Sequence, residues 1–430
     1  MLNLGIPGDF DGVVGEIEGF GIMPDRPPSL ESMKAALALA GLAGKLDPGR
    51  VVVIAGTNGK GSTAALLEEL LRAAGHRTGL YTSPHLQRTQ ERIRIDGSDL
   101  SEADFVRVYL QMREICLKLG LSHFETLTLM AVQAFVALGP LDWIVLEVGL
   151  GGTWDATNAV AHDHCVIASL GLDHQNLLGS TLVDIARNKF GIITEGANVV
   201  HAPLPEAVRA LAQEVQARTR SAWRERRPFH LRVNPARVLG EDPIFEILTA
   251  WGSARLSLPG QRGGENAALA LTVFESLGME PGTVMSALSA VRWPGRMERI
   301  GRIHFSGDHN PAGIESLLEL LAYYPRRHLH IVAGVGRDKD LDGVLAPLFR
   351  LEDTSVALTV TPFKGRRIEE YGEPWCSQAV HLEADPVRAL EATLLRADPG
   401  DLVLVTGSLY LVGLLRTWAQ ERLRRDQATD

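Results

Sequence analysis

The stretch VVVIAGTNGKGSTAALLEELL (Val51–Leu71) decides the fold of the first half of the chain. Its five apolar residues, Val51–Ala55, predict a buried strand, and a helical pattern follows from Ser62. A strand that turns sharply into a helix leaves backbone N–H groups free at the helix start, where they favour an anion. Three glycines in the turn let the backbone approach a phosphate closely, and Lys60 can reach the outer phosphates. The stretch therefore predicts a nucleotide-phosphate site.

The turn departs from the strict phosphate-loop pattern G-x-x-x-x-G-K-[ST]. Ile54 stands where the first glycine belongs, and Gly61 intervenes before Ser62. The alternative interpretation is a glycine-rich turn with an exposed lysine and no ligand. The order of strand, glycines, lysine and helix favours the phosphate site, in which a hydroxyl of Ser62 or Thr63 can join a magnesium shell.

Apolar runs alternate with helical patterns along most of the chain, which predicts an α/β fold with a doubly wound parallel sheet. The strands predicted for the first half are Val51–Ala55, Thr78–Thr82, Trp143–Val148, Val166–Leu170 and Ala197–His201. The segment Pro243–Leu258 is strand-like, and we interpret it as a β-ribbon near the end of the first domain. Because it carries Pro and Gly, Trp293–Gly301 predicts a linker. We therefore expect a phosphate-loop-containing parallel-sheet domain at residues 1–295 and a smaller Rossmann-like α/β domain at residues 296–430.

Composition excludes several classes of protein. The chain has 430 residues and a formal net charge of −9, which argues against non-specific nucleic-acid binding. No apolar run is long enough to span a bilayer. The three cysteines lie far apart, which argues against a disulfide framework or a zinc site. We expect a cytoplasmic protein with no nucleic-acid or membrane partner.

Polar residues follow several of the predicted strands. Ligands of open parallel sheets bind outside the carboxyl ends of the strands, so these residues share one edge. Ser83 and Glu147 offer the oxygen ligands that magnesium prefers, whereas His174 is a less usual partner for a hard ion. Each residue alone is equally consistent with a solvated surface group. Lys189, further along, is consistent with an ordinary ion-paired lysine.

A set of motifs in the right order resembles the folylpolyglutamate synthase/dihydrofolate synthase family of the Mur ligase superfamily. The motifs are GTNGKGS (Gly56–Ser62), YTSPHL (Tyr81–Leu86), LEVGLGGTWDATN (Leu146–Asn158), SLGLDHQNLLGSTLVDIARNKFGI (Ser169–Ile192), WPGRMERI (Trp293–Ile300), HNP (His309–Pro311), GVGRDKD (Gly334–Asp340) and GSLYLVG (Gly407–Gly413). The resemblance implies that ATP phosphorylates a carboxylate of dihydropteroate or of a folate glutamate tail. The amine of L-glutamate then attacks the acyl phosphate, because phosphate is a leaving group that a bare carboxylate lacks.

The resemblance also implies roles for individual residues. It assigns the ATP phosphates to Thr57, Asn58, Gly59, Lys60, Gly61 and Ser62, and further nucleotide contacts to Asn266, Arg296, Asp308 and His309. It assigns magnesium, as two ions, to Ser83, Glu147 and His174, and the pterin side to Phe124, Glu125, Asp155 and Ala156. Lys189 matches a lysine that the family carbamylates, so the resemblance makes Lys60, His174 and Lys189 the catalytic set. It also implies a monomer.

Two motifs depart from the family pattern. The family has an acidic residue at the position of Ser306, which lies two residues before Asp308. It has histidine at the position of Arg262. These changes leave open the alternative of a non-catalytic nucleotide-binding paralogue. A second alternative, within the same superfamily, is another Mur-type peptide ligase. A phosphate-loop kinase or GTPase has no use for the second α/β domain. The basic segment 218–232 could attract a polyglutamate tail, although such runs are more often solvated faces.

Overall fold

A computed structural model describes residues 7–21 and 27–429 of the chain. The chain forms two compact units, and each is built from two separate segments. Unit 1 comprises Met1–Pro228 and Glu265–Ala290, and unit 2 comprises Phe229–Gly264 and Val291–Asp430. The division falls inside one helix, between residues 264 and 265.

Unit 1 contains an eight-stranded sheet within the described residues, in the order β4-β3-β2-β5-β1-β6-β7-β8. The strands are β1 (Val51–Ala55), β2 (Thr78–Tyr81), β3 (Ile93–Ile95), β4 (Ser98–Asp99), β5 (Trp143–Glu147), β6 (His164–Ile167), β7 (Asn198–His201) and β8 (Ala222–Glu225). Strands β3 and β4 pair antiparallel and the others pair parallel. Every residue of β1 and β5 is buried, because both faces of a parallel sheet are covered by helices. The carboxyl ends of the parallel strands therefore form the accessible edge.

Helices of unit 1 pack around this sheet. They are α1 (Phe10–Glu18), α2 (Glu31–Leu39), α3 (Lys60–Ala73), α4 (Glu102–Leu119), α5 (His123–Ala137), α6 (Gln175–Leu178), α7 (Leu182–Lys189), α8 (Arg209–Thr219) and α9 (Gly260–Ser276), the last of which contains the division between the units. Several begin at a side-chain cap: Ser101 accepts from the Asp104 amide, and Ser122 from the Glu125 amide. Such caps satisfy N–H groups that a helix start leaves unpaired. None of the described helices has the length and apolarity needed to cross a membrane.

Unit 2 holds a second, six-stranded sheet in the part of the chain that the structure describes. Its order is β12-β13-β17-β14-β15-β16. These strands are β12 (Arg296–Ile300), β13 (Ile303–Ser306), β14 (Leu329–Ala333), β15 (Thr354–Thr359), β16 (His381–Glu383) and β17 (Leu402–Thr406), and the helices are α10 (Pro311–Leu321), α11 (Leu341–Phe349), α12 (Trp375–Gln378), α13 (Pro386–Arg396) and α14 (Leu409–Thr429). Only β12 pairs antiparallel. The predicted α/β fold, with a parallel sheet in each half, is confirmed.

The β-ribbon belongs to unit 2 rather than to the end of the first domain. Its strands are β9 (His230–Asn234), β10 (Ile244–Thr249) and β11 (Gly252–Arg255), which form an antiparallel sheet. Phe245 on β10 is buried and its ring meets Tyr323 edge to face, with centroids 5.7 Å apart. This apolar contact, between residues far apart in sequence, holds the ribbon to unit 2.

Two further expectations need correction. The segment Trp293–Gly301 is not a free linker, because Arg296–Ile300 forms the edge strand β12. Strand β6 ends at Ile167 instead of residue 170. The chain leaves the sheet there because Ser169 forms an isolated bridge with Asn58 in the glycine-rich turn.

Candidate active site

The glycine-rich turn after β1 leads directly into α3. Gly59 has φ 85°, a left-handed conformation that glycine adopts without strain, and α3 begins at Lys60. A side chain at Gly59 would collide with the amide oxygen of Asn266. The Thr63 hydroxyl lies 3.4 Å from that same oxygen. The structure thus brings Asn266, about 200 residues distant in sequence, against the turn that the sequence predicts to hold phosphates.

The start of the turn is fixed by the segment after β6. The Thr57 amide donates to the Ser169 carbonyl at 2.7 Å, and the Thr57 hydroxyl donates to the Gly171 carbonyl at 3.0 Å. The Ser169 hydroxyl donates to the Asn58 carbonyl at 3.1 Å. Gly61 and Ser62 follow in the first turn of α3. The residues predicted to bind phosphate therefore form one anchored turn and helix start.

Two lysine side chains converge on this turn. The Lys60 ammonium donates to the Gly56 carbonyl at 3.2 Å, and the Lys189 amine donates to the same oxygen at 2.8 Å. The two nitrogens therefore lie within about 6 Å of each other. Burial and, to a lesser degree, the Lys60 charge lower the pKa of Lys189 to about 7, against the opposing charges of Asp173 and Asp155. Near neutral pH, Lys189 thus has a substantial fraction of nucleophilic free amine.

The metal candidates Ser83 and Glu147 are adjacent. The Ser83 amide donates to a carboxylate oxygen of Glu147 at 2.9 Å, and Glu147 is only 4% exposed. A buried carboxylate beside a serine fits a hard divalent ion. Among the described residues, no three His, Cys, Asp or Glu side chains are grouped as a metal site. The pair fits a magnesium ion whose other ligands are phosphate and water, which is the way magnesium usually binds.

His174 lies at the start of α6, beyond the carboxyl end of β6. Its φ of 50° is left-handed, and its ring nitrogen Nε2 lies 3.8 Å from the Asp173 carboxylate. The His174 side chain is 37% exposed. Asp173 also acts electrostatically on Lys189. The sequence patterns assigned no role to Asp173, although its position shortly after a predicted strand was the available signal.

The side chains predicted to contact the pterin lie close together, but both carboxylates are bound within the fold. The Phe124 ring packs directly over Gly149, where an added Cβ would lie 2.7 Å from the ring. Asp155 is 5% exposed and accepts from the amides of Gly149 and Leu150 at 2.9 and 3.0 Å. Burial raises the pKa of Asp155, although these hydrogen bonds oppose the rise. Asp155 therefore fastens the loop that follows β5.

Glu125 and Ala156 also have structural positions. A carboxylate oxygen of Glu125 accepts from the Ser122 amide at 2.9 Å and from the Ser122 hydroxyl at 2.8 Å, which caps α5. Ala156 is buried in the short turn that Asp155 begins. Of these four residues, the Phe124 ring is the one whose contacts suit a substrate wall.

In unit 2 the predicted nucleotide contacts lie at the end of β13. Arg296 on β12 stands opposite Ser306. The Ser306 hydroxyl donates to the Asp308 carboxylate at 2.6 Å, so that carboxylate turns back towards position 306. The His309 ring nitrogen Nδ1 lies 2.8 Å from the Gly307 carbonyl. Arg262, the other departure from the family pattern, donates to the Ala312 carbonyl.

Sequence reasoning missed a partly buried group of basic side chains that includes His85, two residues after Ser83. The Arg92 guanidinium donates to Nδ1 of His85 at 3.0 Å. Burial and the Arg92 charge lower the pKa of His85 to about 3 and that of His123 to about 4, so both rings are neutral at physiological pH. The position of His85 two residues after Ser83 was the signal for this group.

The basic segment is less available to a ligand than its composition indicates. Arg224 and Arg227 both form ion pairs with Glu275, at 2.9 Å each. Burial lowers the pKa of Arg226. Arg224 and Arg227 are therefore already neutralised by Glu275, which weakens the hypothesis that this segment attracts a polyglutamate tail.

Comparison with known proteins identifies the family of this chain. The family model described as "Mur ligase, glutamate ligase domain" matches residues 295–409. A dihydrofolate synthase/folylpolyglutamate synthase from Mycobacterium tuberculosis is 33% identical over an alignment that covers 91% of this chain and 90% of the relative. The chain belongs to the dihydrofolate synthase/folylpolyglutamate synthase family. The resemblance found in the sequence is thereby confirmed.

Solved structures of this family share the fold over almost the whole chain. The folylpolyglutamate synthase of Mycobacterium tuberculosis complexed with ADP has a TM-score of 0.85 at 31% identity, covering 95% of this chain and 98% of that one. The bifunctional enzyme of Yersinia pestis, complexed with AMPPNP and a manganese ion, has a TM-score of 0.79 at 27% identity, covering 96% and 98%. Both relatives bind nucleotide, and the second also binds a divalent metal.

Proposed function

We propose that this chain is an ATP-dependent carboxylate–amine ligase that adds L-glutamate to dihydropteroate, to folates that carry a glutamate tail, or to both. Membership of the family supports the reaction class. The observation that carries the proposal is the anchored turn after β1, on whose Gly56 carbonyl Lys60 and Lys189 converge. The Lys60 cation beside helix-start amides is suited to a triphosphate.

The reaction proceeds in two steps. A carboxylate oxygen of the folate substrate attacks the terminal phosphorus of ATP, and the bond to ADP breaks. Lys60 and the amides of the turn stabilise the charge on the transferring phosphoryl group. The amine of L-glutamate then attacks the acyl carbon, inorganic phosphate leaves, and the amine loses a proton as the amide forms.

ATP and a divalent metal ion are required, and we assign the metal as Mg²⁺. Magnesium would neutralise phosphate charge and orient the oxygens for transfer. Ser83 and Glu147 would hold one ion, and His174 would contribute to a second. In this assignment Asn266 stands beside the phosphates, while Arg296, Asp308 and His309 bind the rest of the nucleotide.

The lowered pKa of Lys189 supports its carbamylation. Carbon dioxide reacts with a free amine, and the pKa of about 7 leaves that amine largely unprotonated just above neutral pH. The carbamate would replace a buried cation with an anion suited to the second metal. We place this enzyme in the cytoplasm as a monomer, with small molecules as its partners.

An ADP-release assay tests the reaction. Dihydropteroate and tetrahydrofolate are tested in parallel reactions, each with and without L-glutamate, and the masses of the products are measured by mass spectrometry. We expect ADP release that depends on both the pteroate and L-glutamate, with one glutamate added per ADP. Nucleotide binding without ADP release in any mixture would instead identify a non-catalytic paralogue.

Chemical rescue tests the carbamate separately. Lys189→Ala should lose activity and regain part of it in high concentrations of a short carboxylate such as formate, which can occupy the position of the carbamate. Lys45→Ala, which removes an exposed lysine, is the matched control. An activity loss that no carboxylate relieves would argue that Lys189 acts as an amine.

A further inference from the structure

Unit 2 contains a cavity of about 200 Å³ at the amino ends of its parallel strands, and the cavity is partly open to solvent. Its walls include the residues just before β17 and those after α10, together with the β12–β13 hairpin and the β9–β10 connection. Asp308 and His309 follow the opposite end of β13. The length of that strand, roughly 10 Å, separates the two ends. The cavity is therefore distinct from the candidate nucleotide contacts.

Two guanidinium groups line the cavity and are held in place by backbone carbonyls. Arg302 donates from Nη2 to the carbonyls of Ala397 and Asp398 at 2.9 Å each. Arg299 donates from Nε to the Gly301 carbonyl at 2.9 Å. The other nitrogens of Arg302 have no hydrogen-bond partner among the described residues. Pre-positioned guanidinium donors of this kind suit a carboxylate, which they can bind at both oxygens.

The carboxylates around the cavity differ in whether a histidine or arginine side chain already pairs with them. Asp242 accepts from His304 at 2.8 Å and lies 3.6 Å from Arg299. Burial opposes the ionisation of Asp242, but the His304 hydrogen bond and the nearby positive charges lower its pKa. Asp401 is paired with His330 at 3.2 Å. Glu241 lines the cavity, is exposed, and has no ion-pair partner within the described part of the chain.

The remaining wall is mostly apolar. Leu239, Pro325 and Leu402 line it, together with the ring of Tyr324, which packs edge to face on His304 with centroids 5.5 Å apart. The Tyr324 hydroxyl has no hydrogen-bond partner among residues 7–21 and 27–429. An apolar surface with a few convergent polar groups is the usual composition of a small-molecule site.

We propose that this cavity binds a free aliphatic α-amino acid in its zwitterionic form. The carboxylate of the amino acid is held by Arg302 and Arg299, its ammonium group by Glu241, and its side chain by the apolar wall. Both signs of charge remain available in the cavity, which favours a zwitterion over a simple anion. No residue of the candidate active site lines the cavity, so the proposal does not depend on the ligase function.

Isothermal titration calorimetry on the full-length protein tests the proposal with L-leucine as the probe. Two analogues isolate the charges: 4-methylpentanoate lacks the ammonium group, and isoamylamine lacks the carboxylate. We expect saturable binding of L-leucine and at least tenfold weaker binding of either analogue. Glu241→Gln and Arg302→Gln should each weaken L-leucine binding at least tenfold. Arg237→Gln, an exposed arginine of the same connection that does not line the cavity, should leave it unchanged.

Several results would overturn the proposal. They are the absence of L-leucine binding, equal binding of 4-methylpentanoate, or unchanged binding in Glu241→Gln. If Arg302→Gln melts early because its carbonyl contacts are lost, Glu241→Gln decides the question, since that side chain is exposed and unpaired within the described residues. Turnover is not measured, so failure of the ligase proposal would not affect this result.

Discussion

The carboxyl edges of the two sheets differ in how deeply they bury charge. At the edge of unit 1, Lys189 and Glu147 are each 4% exposed, and burial lowers the pKa of Lys189 to about 7. At the edge of unit 2, Arg296, Asp308 and His309 are half-buried, and a side-chain hydrogen bond of each joins it to a residue one or two positions away. The same parallel architecture therefore presents two different electrostatic environments.

From this difference we infer that the edge of unit 1 serves the chemical step and the edge of unit 2 serves nucleotide binding. A charge in a low-dielectric site acts strongly on a transferring group, whereas a solvated charge acts weakly. We therefore expect substitutions at the edge of unit 1 to alter catalysis. Substitutions at the edge of unit 2 should alter mainly the concentration of nucleotide that is required.

Lys60 provides the largest expected effect. Lys60→Ala removes a cation that faces the phosphate turn, and kcat for ADP release should fall on the order of 10³-fold. Lys45→Ala should behave as the wild type. A decrease of less than tenfold in Lys60→Ala would mean that the turn does not hold the reacting phosphate, and the contrast between the two edges would lose its basis.

The burial of the Lys189 amine can be tested through the pH dependence of the free energy of unfolding. Its pKa is lower in the folded protein than the ordinary lysine value of 10.5. Between about pH 7 and that value the unfolded chain binds more protons, so burial of Lys189 destabilises the fold less as pH rises. In carbonate-free buffer, the free energy of unfolding of the wild type should rise relative to Lys189→Met by roughly 3 kcal/mol between pH 7 and pH 10.

Urea unfolding at several pH values measures this change. Lys364→Met is the matched variant in unit 2, because the Lys364 side chain is 47% exposed. It should show no such pH-dependent difference from the wild type. A parallel pH dependence of the wild type and Lys189→Met would show that the Lys189 amine is not desolvated.

Glu147 tests the proposed magnesium site at the edge of unit 1. Glu147→Gln should raise the magnesium concentration needed for half-maximal activity at least about tenfold, since the carboxylate is a proposed ligand. Glu125→Gln is a matched substitution of another buried glutamate. We expect it to weaken the cap of α5 by about 1 kcal/mol and to leave the magnesium requirement unchanged. Identical magnesium curves for the two variants would remove Glu147 from the metal site.

Asp308 gives the smallest expected effect. Asp308→Asn should raise KM for ATP about three- to tenfold with little change in kcat, because a half-buried hydrogen-bonding group contributes about 1 kcal/mol. Ser306→Ala, which removes the hydroxyl that orients Asp308, should raise KM by less. If kcat fell 10²-fold in Asp308→Asn, unit 2 would share in the chemical step and the contrast would fail.

Local features of the fold were predictable from sequence. Strand β1 has the predicted bounds, Val51–Ala55, because a buried apolar run ends at a glycine. Helix α3 begins at Lys60 rather than Ser62, since Gly59 takes the left-handed conformation that starts it. The end of β6 was misplaced because Ser169 pairs with a turn over a hundred residues away. No local sequence pattern predicts such a contact.

The same limit applies to the site. The phosphate turn is a local motif, and its geometry follows from glycine spacing. The contact of Lys189 with Gly56 joins residues 133 positions apart, and that of Asn266 with Thr63 joins residues 203 apart. Family resemblance pointed to Lys189 and Asn266, but the structure was needed to find their partners. It was also needed to find that Glu125 and Asp155 already serve the fold.

The interleaving of the two units constrains the order in which the chain can mature. A ribosome completes the last segment of unit 1 at Ala290, after it has already released the ribbon of unit 2. Neither unit can therefore be finished as a contiguous piece during synthesis. Two proteins made by dividing the gene near its middle would each lack a segment of their unit. Separate production of the two units therefore requires a circularly permuted or spliced chain.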